Sequence, residues 1–303
     1  MIVRLAAEAM ATRFELVLSG TDELFLRAAG EEALEIIRDQ HARLSVFDRG
    51  SLVSRINALA ASRPVEVDRE LWELLDLCAR IWRQSGGAFD PAVGSLMARW
   101  GFRDSVPGKP RTPAPAGFEA VELDRTTRTI RFLDPRVSLD FGAIAKGFAL
   151  DLARRSLCQL GVERALLHGG TSSAIAIGTP DDLPAWTIEI PSRRSGVTPL
   201  RAQLADSALS ISSPSGRVVN RAGQAVGHIM DPRTGRPTSG VSVSAVSCAS
   251  AAEADAWSTA LIVCSGRPAS MRAASATLAQ EGTWIIEPEE QHVFVPAPSC
   301  KGD

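Results

Sequence analysis

Asp255 and Thr259 stand four residues apart in Ala251 to Cys264, a run that reads as a helix. That spacing puts both side chains on one helical face. A carboxylate beside a hydroxyl offers two oxygen ligands to a hard cation such as Mg²⁺; an acid at a solvated helix end next to a core threonine would leave the same pattern. His228 comes shortly before an Asp-Pro turn at Asp231 and Pro232. It is placed to act as a general base near neutral pH, or to serve only as a turn residue bonded to backbone. A third cluster lies in Ser138 to Asp151, where Gly142, Ala143, Ala145 and Gly147 surround one acid, Asp140, and one base, Lys146. Small residues let a ligand come close to the backbone. The helix start behind them offers free N–H groups and a positive dipole end to a phosphate. A plain strand-turn-helix would need the same glycines for its turn alone.

The elements that must position these groups follow in order. Thr12 to Leu18 alternates as a strand, Ser19 to Asp22 makes a turn and N-cap, and Glu23 to Leu44 has helical apolar spacing with acids outside. Phe47 to Gly50 reads as a loop, with Ser51 capping a short helix, and Arg69 to Gln84 reads as a helix stopped by Gly86 and Gly87. Gly86 to Gly94 is a glycine-rich segment carrying Asp90 before a proline, and Ser95 to Trp100 is a short helix. Residues 102 to 118, rich in proline and glycine, are expected to be an exposed loop. Val121 to Phe132 suggests a hairpin, and Ala149 to Leu160 an amphipathic helix. Arg164 to Gly170, Ala174 to Gly178, Trp186 to Ile190, Leu209 to Ser213 and Val241 to Ser247 read as strands, and residues 191 to 199 as a polar loop. Thr283 to Ile286 and Val293 to Val295 complete the sheet, and 296 to 303 form a frayed tail. Strands and helices mixed without regular βα alternation favour an α+β fold, expected to span 1 to 303 as a single domain around a central cleft.

At 303 residues and 45% hydrophobic, the chain is long enough for a sizeable core. A net charge of −2, with no basic run interleaved with aromatics, argues against nucleic acid as a partner. Five cysteines, at 78, 158, 248, 264 and 300, include no CxxC pair and suggest reduced buried thiols. Tyr is absent, so no tyrosine serves as acid, base or stacking group. No apolar run approaches a membrane span. The apolar stretch at Met1 to Met10 is too short for a signal peptide, which makes the chain as written cytoplasmic; a lost leader would make it periplasmic or membrane-anchored.

Seven segments occur in a fixed order: Met10 to Thr12, Phe47 to Asn57, Gly87 to Gly94, Asp140 to Asp151, Gly169 with Gly170, His228 to Gly235, and Ala254 to Thr259. This series resembles the ApbE family, the FAD:protein FMN transferases, over nearly the whole chain. The resemblance implies an α+β fold, FAD as donor substrate, Mg²⁺ as cofactor, and transfer of FMN onto a Thr or Ser hydroxyl of a partner flavoprotein with release of AMP. By position it assigns nucleotide contacts to Met10, Phe47, Ala88, Phe89, Asp90, Asp140, Lys146 and Ile229. It assigns the metal to the Ala143 carbonyl with Asp255 and Thr259, and the base to His228. The family position at Phe47 is often Tyr; Phe keeps the stacking and loses the hydroxyl. Two departures stand out: Thr171 to Ser173 where the family often has an acid after its Gly-Gly pair, and Ser212, Ser213, Pro214 where it has a Thr-Ser-Gly turn. A Mg²⁺-dependent FAD pyrophosphatase, or an FAD carrier without catalysis, would use much the same residues.

Overall fold

Ile2–Ala9 and Thr12–Ser19 pair antiparallel with Ala9 opposite Thr12, so that Met10 and Ala11 alone make the turn. The computed structural model describes residues 1–103, 116–190, 200–221, 223–238, 243–264, 283–286 and 293–295. In it this hairpin forms one end of an eight-stranded sheet, which continues through Ala165–Gly169, Ser173–Ile177, Ala208–Ser212, Val243–Cys248, Thr283–Ile286 and Val293–Val295. Each neighbouring pair is antiparallel.

Six helices are described: α1 (Glu23–Leu44), α2 (Leu52–Leu59), α3 (Arg69–Gln84), α4 (Gly94–Trp100), α5 (Ala145–Leu160) and α6 (Ala251–Cys264). Their starts follow the capping chemistry of the sequence. The side chains of Asp22, Ser51 and Asp68 accept the N–H groups of Phe25, Ser54 and Leu71, each satisfying an orphan donor of a first turn. α5 ends at Gly161, whose φ of 92° closes the helix in the left-handed region.

Helices α1, α5 and α6 pack against the sheet. Leu16, Leu18, Leu167 and Ile175 of the sheet meet Leu34 and Ile37 of α1 and Leu150 and Leu157 of α5 in one cluster. A separate hairpin, Trp186–Ile190 with Leu200–Leu204, contributes Ile190, Ala202 and Leu204 to a cluster with Ala174, Ala176, Leu209, Val243 and Ala245 of the sheet. α6 is buried almost all round, as expected of a helix apolar on every side. It joins α2, α3 and a three-stranded sheet of Val65–Glu66, Thr129–Phe132 and Val121–Asp124 in the largest cluster. The result is the α+β architecture expected.

Several expectations are corrected. Met1 to Met10, weighed above only as a leader, contains the edge strand Ile2–Ala9. α5 begins at Ala145, four residues before the amphipathic pattern, because its first turn is set by contact with α6, which requires a residue without Cβ at Gly147. The 102–118 segment is not exposed at its described ends, where Phe102, Ala116 and Phe118 are buried; residues 104–115 lie outside the described residues. So do the 191–199 loop, residues 241–242 of the expected Val241 to Ser247 strand, Cys300 and the 296–303 tail.

Candidate active site

A cavity of ≈ 740 Å³ opens between the hairpin turn at Met10, the loop after α3, the first turn of α5 and the end of Ala208–Ser212. All twelve residues singled out from the sequence line it: Met10, Phe47, Ala88, Phe89, Asp90, Asp140, Ala143, Lys146, His228, Ile229, Asp255 and Thr259.

Asp255 sits at the junction of α5 and α6. Its Oδ2 accepts the Gly147 N–H of the α5 first turn at 2.7 Å. Its Oδ1 accepts the hydroxyls of Ser173, at 2.7 Å, and of Ser210. The hydroxyl chain runs on through Ser258 and Ser212 to Thr259. These donors satisfy a carboxylate that is only 3% exposed. The capping is reciprocal. Asp151 of α5 accepts the N–H groups of Ala251 and Ala252 at 2.8 and 3.0 Å, together with the Ser250 hydroxyl. The two helices touch at Gly147, where an added Cβ would lie 2.1 Å from the Ala251 carbonyl oxygen. One N–H at the start of α5, expected above to be free for a phosphate, is therefore already engaged by Asp255.

Ala143, Asp255 and Thr259 supply a carbonyl, a carboxylate and a hydroxyl, all hard oxygen donors with a single charge among them. A carboxylate oxygen has two lone pairs, so Oδ2 keeps one beyond the Gly147 contact. Such a set suits Mg²⁺, which keeps water and substrate phosphates for its other positions. Among the described residues no cluster of three or more His, Cys, Asp or Glu offers a more heavily charged site.

His228 follows the hairpin of Val218–Arg221 and Gln224–Gly227 and is held from two sides. Its backbone N–H donates to the Arg217 carbonyl at 3.0 Å. Its Nδ1 lies 3.2 Å from the same oxygen. A carbonyl only accepts, so Nδ1 carries the proton in this contact, and the Pro214 carbonyl also lies within hydrogen-bonding reach of the ring. The ring stands edge-on to Phe102, with centroids 6.4 Å apart. Burial above all, with help from the nearby charges of Lys146 and Arg217, lowers the imidazole below its ordinary proton affinity. The ring is thereby kept neutral.

Asp140 is pinned at both oxygens. Oδ1 accepts the Gly142 N–H at 2.8 Å, which shapes the turn into Ala143, and Oδ2 faces Arg103 Nη1 at 3.2 Å. Asp90 accepts the N–H groups of Ala92 and Phe118 and ties the loop after α3 to a segment 28 residues on. Burial raises its carboxyl to about 6. Ser212 and Ser213 line the cavity. The Pro214 carbonyl instead stands over Gly227, 2.3 Å from where a Cβ would be, so this departure packs beside the hairpin that carries His228.

Sequence reasoning missed Arg103, Arg217, His41, Ser173 and Ser210, all at or beside the cavity. Only the serines left a signal: buried hydroxyls in strand stretches that are otherwise largely apolar. Arg103 follows Phe102 in a stretch read as exposed, yet its side chain is 5% exposed.

A mixed α+β scaffold thus gathers an imidazole, oxygen donors and a lysine around one cavity. The sequence model of the ApbE family matches residues 10–281, and the chain belongs to that family. It is 34% identical over 267 residues to a FAD:protein FMN transferase of Rhodobacter capsulatus, covering 83% of this chain and 49% of that protein. The chain thus spans about half the length of that relative. A FAD:protein FMN transferase of Klebsiella pneumoniae (strain 342) is 31% identical over 263 residues, covering 82% of this chain and 81% of the relative. The ApbE protein of Thermotoga maritima superposes with a TM-score of 0.86 at 25% identity, covering 99% of this chain and 98% of the other. The apo form of Pseudomonas stutzeri flavinyl transferase ApbE gives 0.81 at 25% identity, covering 99% and 95%.

Proposed function

We propose that this chain transfers FMN from FAD to a Ser or Thr hydroxyl of a partner flavoprotein that carries a flavinylation motif, releasing AMP. The observation that carries the reading is that His228, its Nδ1 against the Arg217 carbonyl, lines one cavity with Asp255, Thr259 and Lys146. Nε2 takes the proton of the acceptor hydroxyl. The hydroxyl oxygen bonds to the FMN phosphorus, the P–O bond to the adenylate side breaks, and AMP leaves with that electron pair. Ala143, Asp255 and Thr259 would hold Mg²⁺, which supplies charge neutralisation at the phosphates. Lys146, in the first turn of α5, offsets charge on the same phosphates. Met10, Phe47, Ala88, Phe89 and Ile229 form apolar walls for the nucleotide, and Asp90 and Asp140 fix the loops between them.

The test is AMP release from FAD and Mg²⁺, with and without a flavoprotein acceptor. Transfer predicts AMP in step with flavin on the acceptor and little AMP without it. Acceptor-independent AMP would make the protein a pyrophosphatase, and no AMP in either arm would make it a carrier.

A further inference from the structure

Met10 and Ala11 both adopt positive φ, 50° and 57°. A two-residue hairpin turn of this hand requires positive φ at both positions, and Asn-Gly or Asp-Gly ordinarily fills it. Met and Ala each bring a Cβ into a region that L-residues avoid. Such a turn persists where its surroundings hold it, and residues of this kind gather at ligand sites. The hold is visible here. The Met10 N–H donates to Nδ1 of His41, 3.1 Å away, in the last turn of α1. In this contact Nδ1 is the acceptor and the Met10 N–H the donor. This is the one hydrogen bond of the His41 side chain among the described residues. Met10, Ala11, Thr12 and His41 all line the cavity that contains His228 and Asp255.

We infer that His41 is a positioning residue for the donor nucleotide. Its Nδ1, by accepting the Met10 N–H, fixes the strained Met10–Ala11 turn and so sets the shape of the wall against which the nucleotide lies. The inference rests on the reading of this cavity as an FAD site. It assigns to the end of α1 a task that nothing in the spacing of Glu23–Leu44 discloses, since His41 falls on an ordinary exposed helical position.

The experiment is FAD titration by flavin fluorescence, with transfer kinetics alongside, on the parent, His41→Leu, His41→Asn and the double variant His41→Leu/Ala11→Gly. One net hydrogen bond corresponds to roughly a three- to tenfold change in affinity. His41→Leu is expected to bind FAD weaker by about that factor, with KM for FAD raised in proportion and kcat unchanged at saturation. His41→Asn places a side-chain oxygen near the position of Nδ1 and should bind close to the parent. Glycine at 11 removes the Cβ penalty, so the double variant should regain much of the loss. Parent-like binding by His41→Leu overturns the inference. So does an equal loss in His41→Asn that Ala11→Gly does not recover, which would make the imidazole itself a ligand contact. Should His41→Leu fail to fold, His41→Asn against His41→Gln decides: both are polar, only the first reaches the Nδ1 position, and equal affinities overturn the inference. A parent that binds no FAD overturns the functional reading itself, whereas a parent that binds while His41→Leu binds equally overturns this inference alone.

Discussion

At the scale of the residue, His228 is set by what surrounds it. Desolvation first, then the charges of Lys146 and Arg217, push its proton affinity below the ordinary value of 6.5, while its contact with the Arg217 carbonyl opposes the shift. The working form of a base is the neutral one, so kcat/KM rises with pH through this value and is flat above it. Because the value lies below 6.5, the plateau is already reached at neutral pH. The expected profile has an acid limb of slope near one, displaced below the ordinary imidazole range. His228→Asn should lose that limb and fall by about 10²–10⁴ in rate, with FAD binding little changed. An acid limb that survives in His228→Asn would assign it to another group. Residue types marked this group and Asp255 only as candidates, each with a plain structural alternative, and the order of the seven segments carried them further. Types alone did not disclose Arg103. Its importance comes from a partner 37 positions along the chain, Asp140, and from burial that local composition contradicts.

At the scale of the element, α5 and α6 are joined by an exchange of caps. Asp255 of α6 accepts the Gly147 N–H of α5, and Asp151 of α5 accepts two N–H groups of α6. Each helix start thereby receives a carboxylate at its positive end. Neither Ile144 nor any other side chain of its own segment caps α5, so its first turn depends on α6. The close approach needs Gly147, since a Cβ there meets the carbonyl oxygen and N–H nitrogen of consecutive α6 residues at 2.1 and 2.6 Å. Those are backbone atoms and do not turn aside. Gly147→Ala is expected to destabilise the fold by roughly 1–3 kcal/mol, the usual cost of overpacking, as read by urea denaturation. It should also weaken Mg²⁺ binding measured calorimetrically with FAD present, because the Asp255 carboxylate is displaced. A variant as stable as the parent, with unchanged metal affinity, would show that the helices slide freely. The amphipathic period of Ala149 to Leu160 was legible in the sequence. The small-residue turn before it looked like a loop because close helix packing and a ligand-binding loop both select Gly and Ala.

At the scale of the whole molecule, the cavity draws on residues from Met10 to Thr259. Chain order alone does not bring these together; the antiparallel sheet does. It sets the turn at Met10, the end of Ala165–Gly169 and the end of Ala208–Ser212 along the mouth of one site. The α+β class and most strand positions were readable from alternation and turn residues. The pairing order was not, because antiparallel partners distant in sequence leave no local mark. A ligand that touches all these segments binds the native state and not the unfolded chain, so it raises the melting midpoint by mass action. At free FAD and Mg²⁺ about a hundredfold above Kd, the stabilisation is about 2.7 kcal/mol, a shift on the order of 5 °C for a protein of this size. FAD without Mg²⁺ should give a smaller shift through the apolar walls and loops. In Asp255→Ala the only charged member of the oxygen set is gone, so the variant should keep the FAD-only increment over its own baseline and lose the increment that Mg²⁺ adds. Differential scanning fluorimetry of parent and variant, each alone, with FAD, and with FAD plus Mg²⁺, reads this directly. An equal Mg²⁺ increment in both proteins would place the cation away from Asp255 and remove the metal assignment, while leaving the nucleotide site to stand on its own shift.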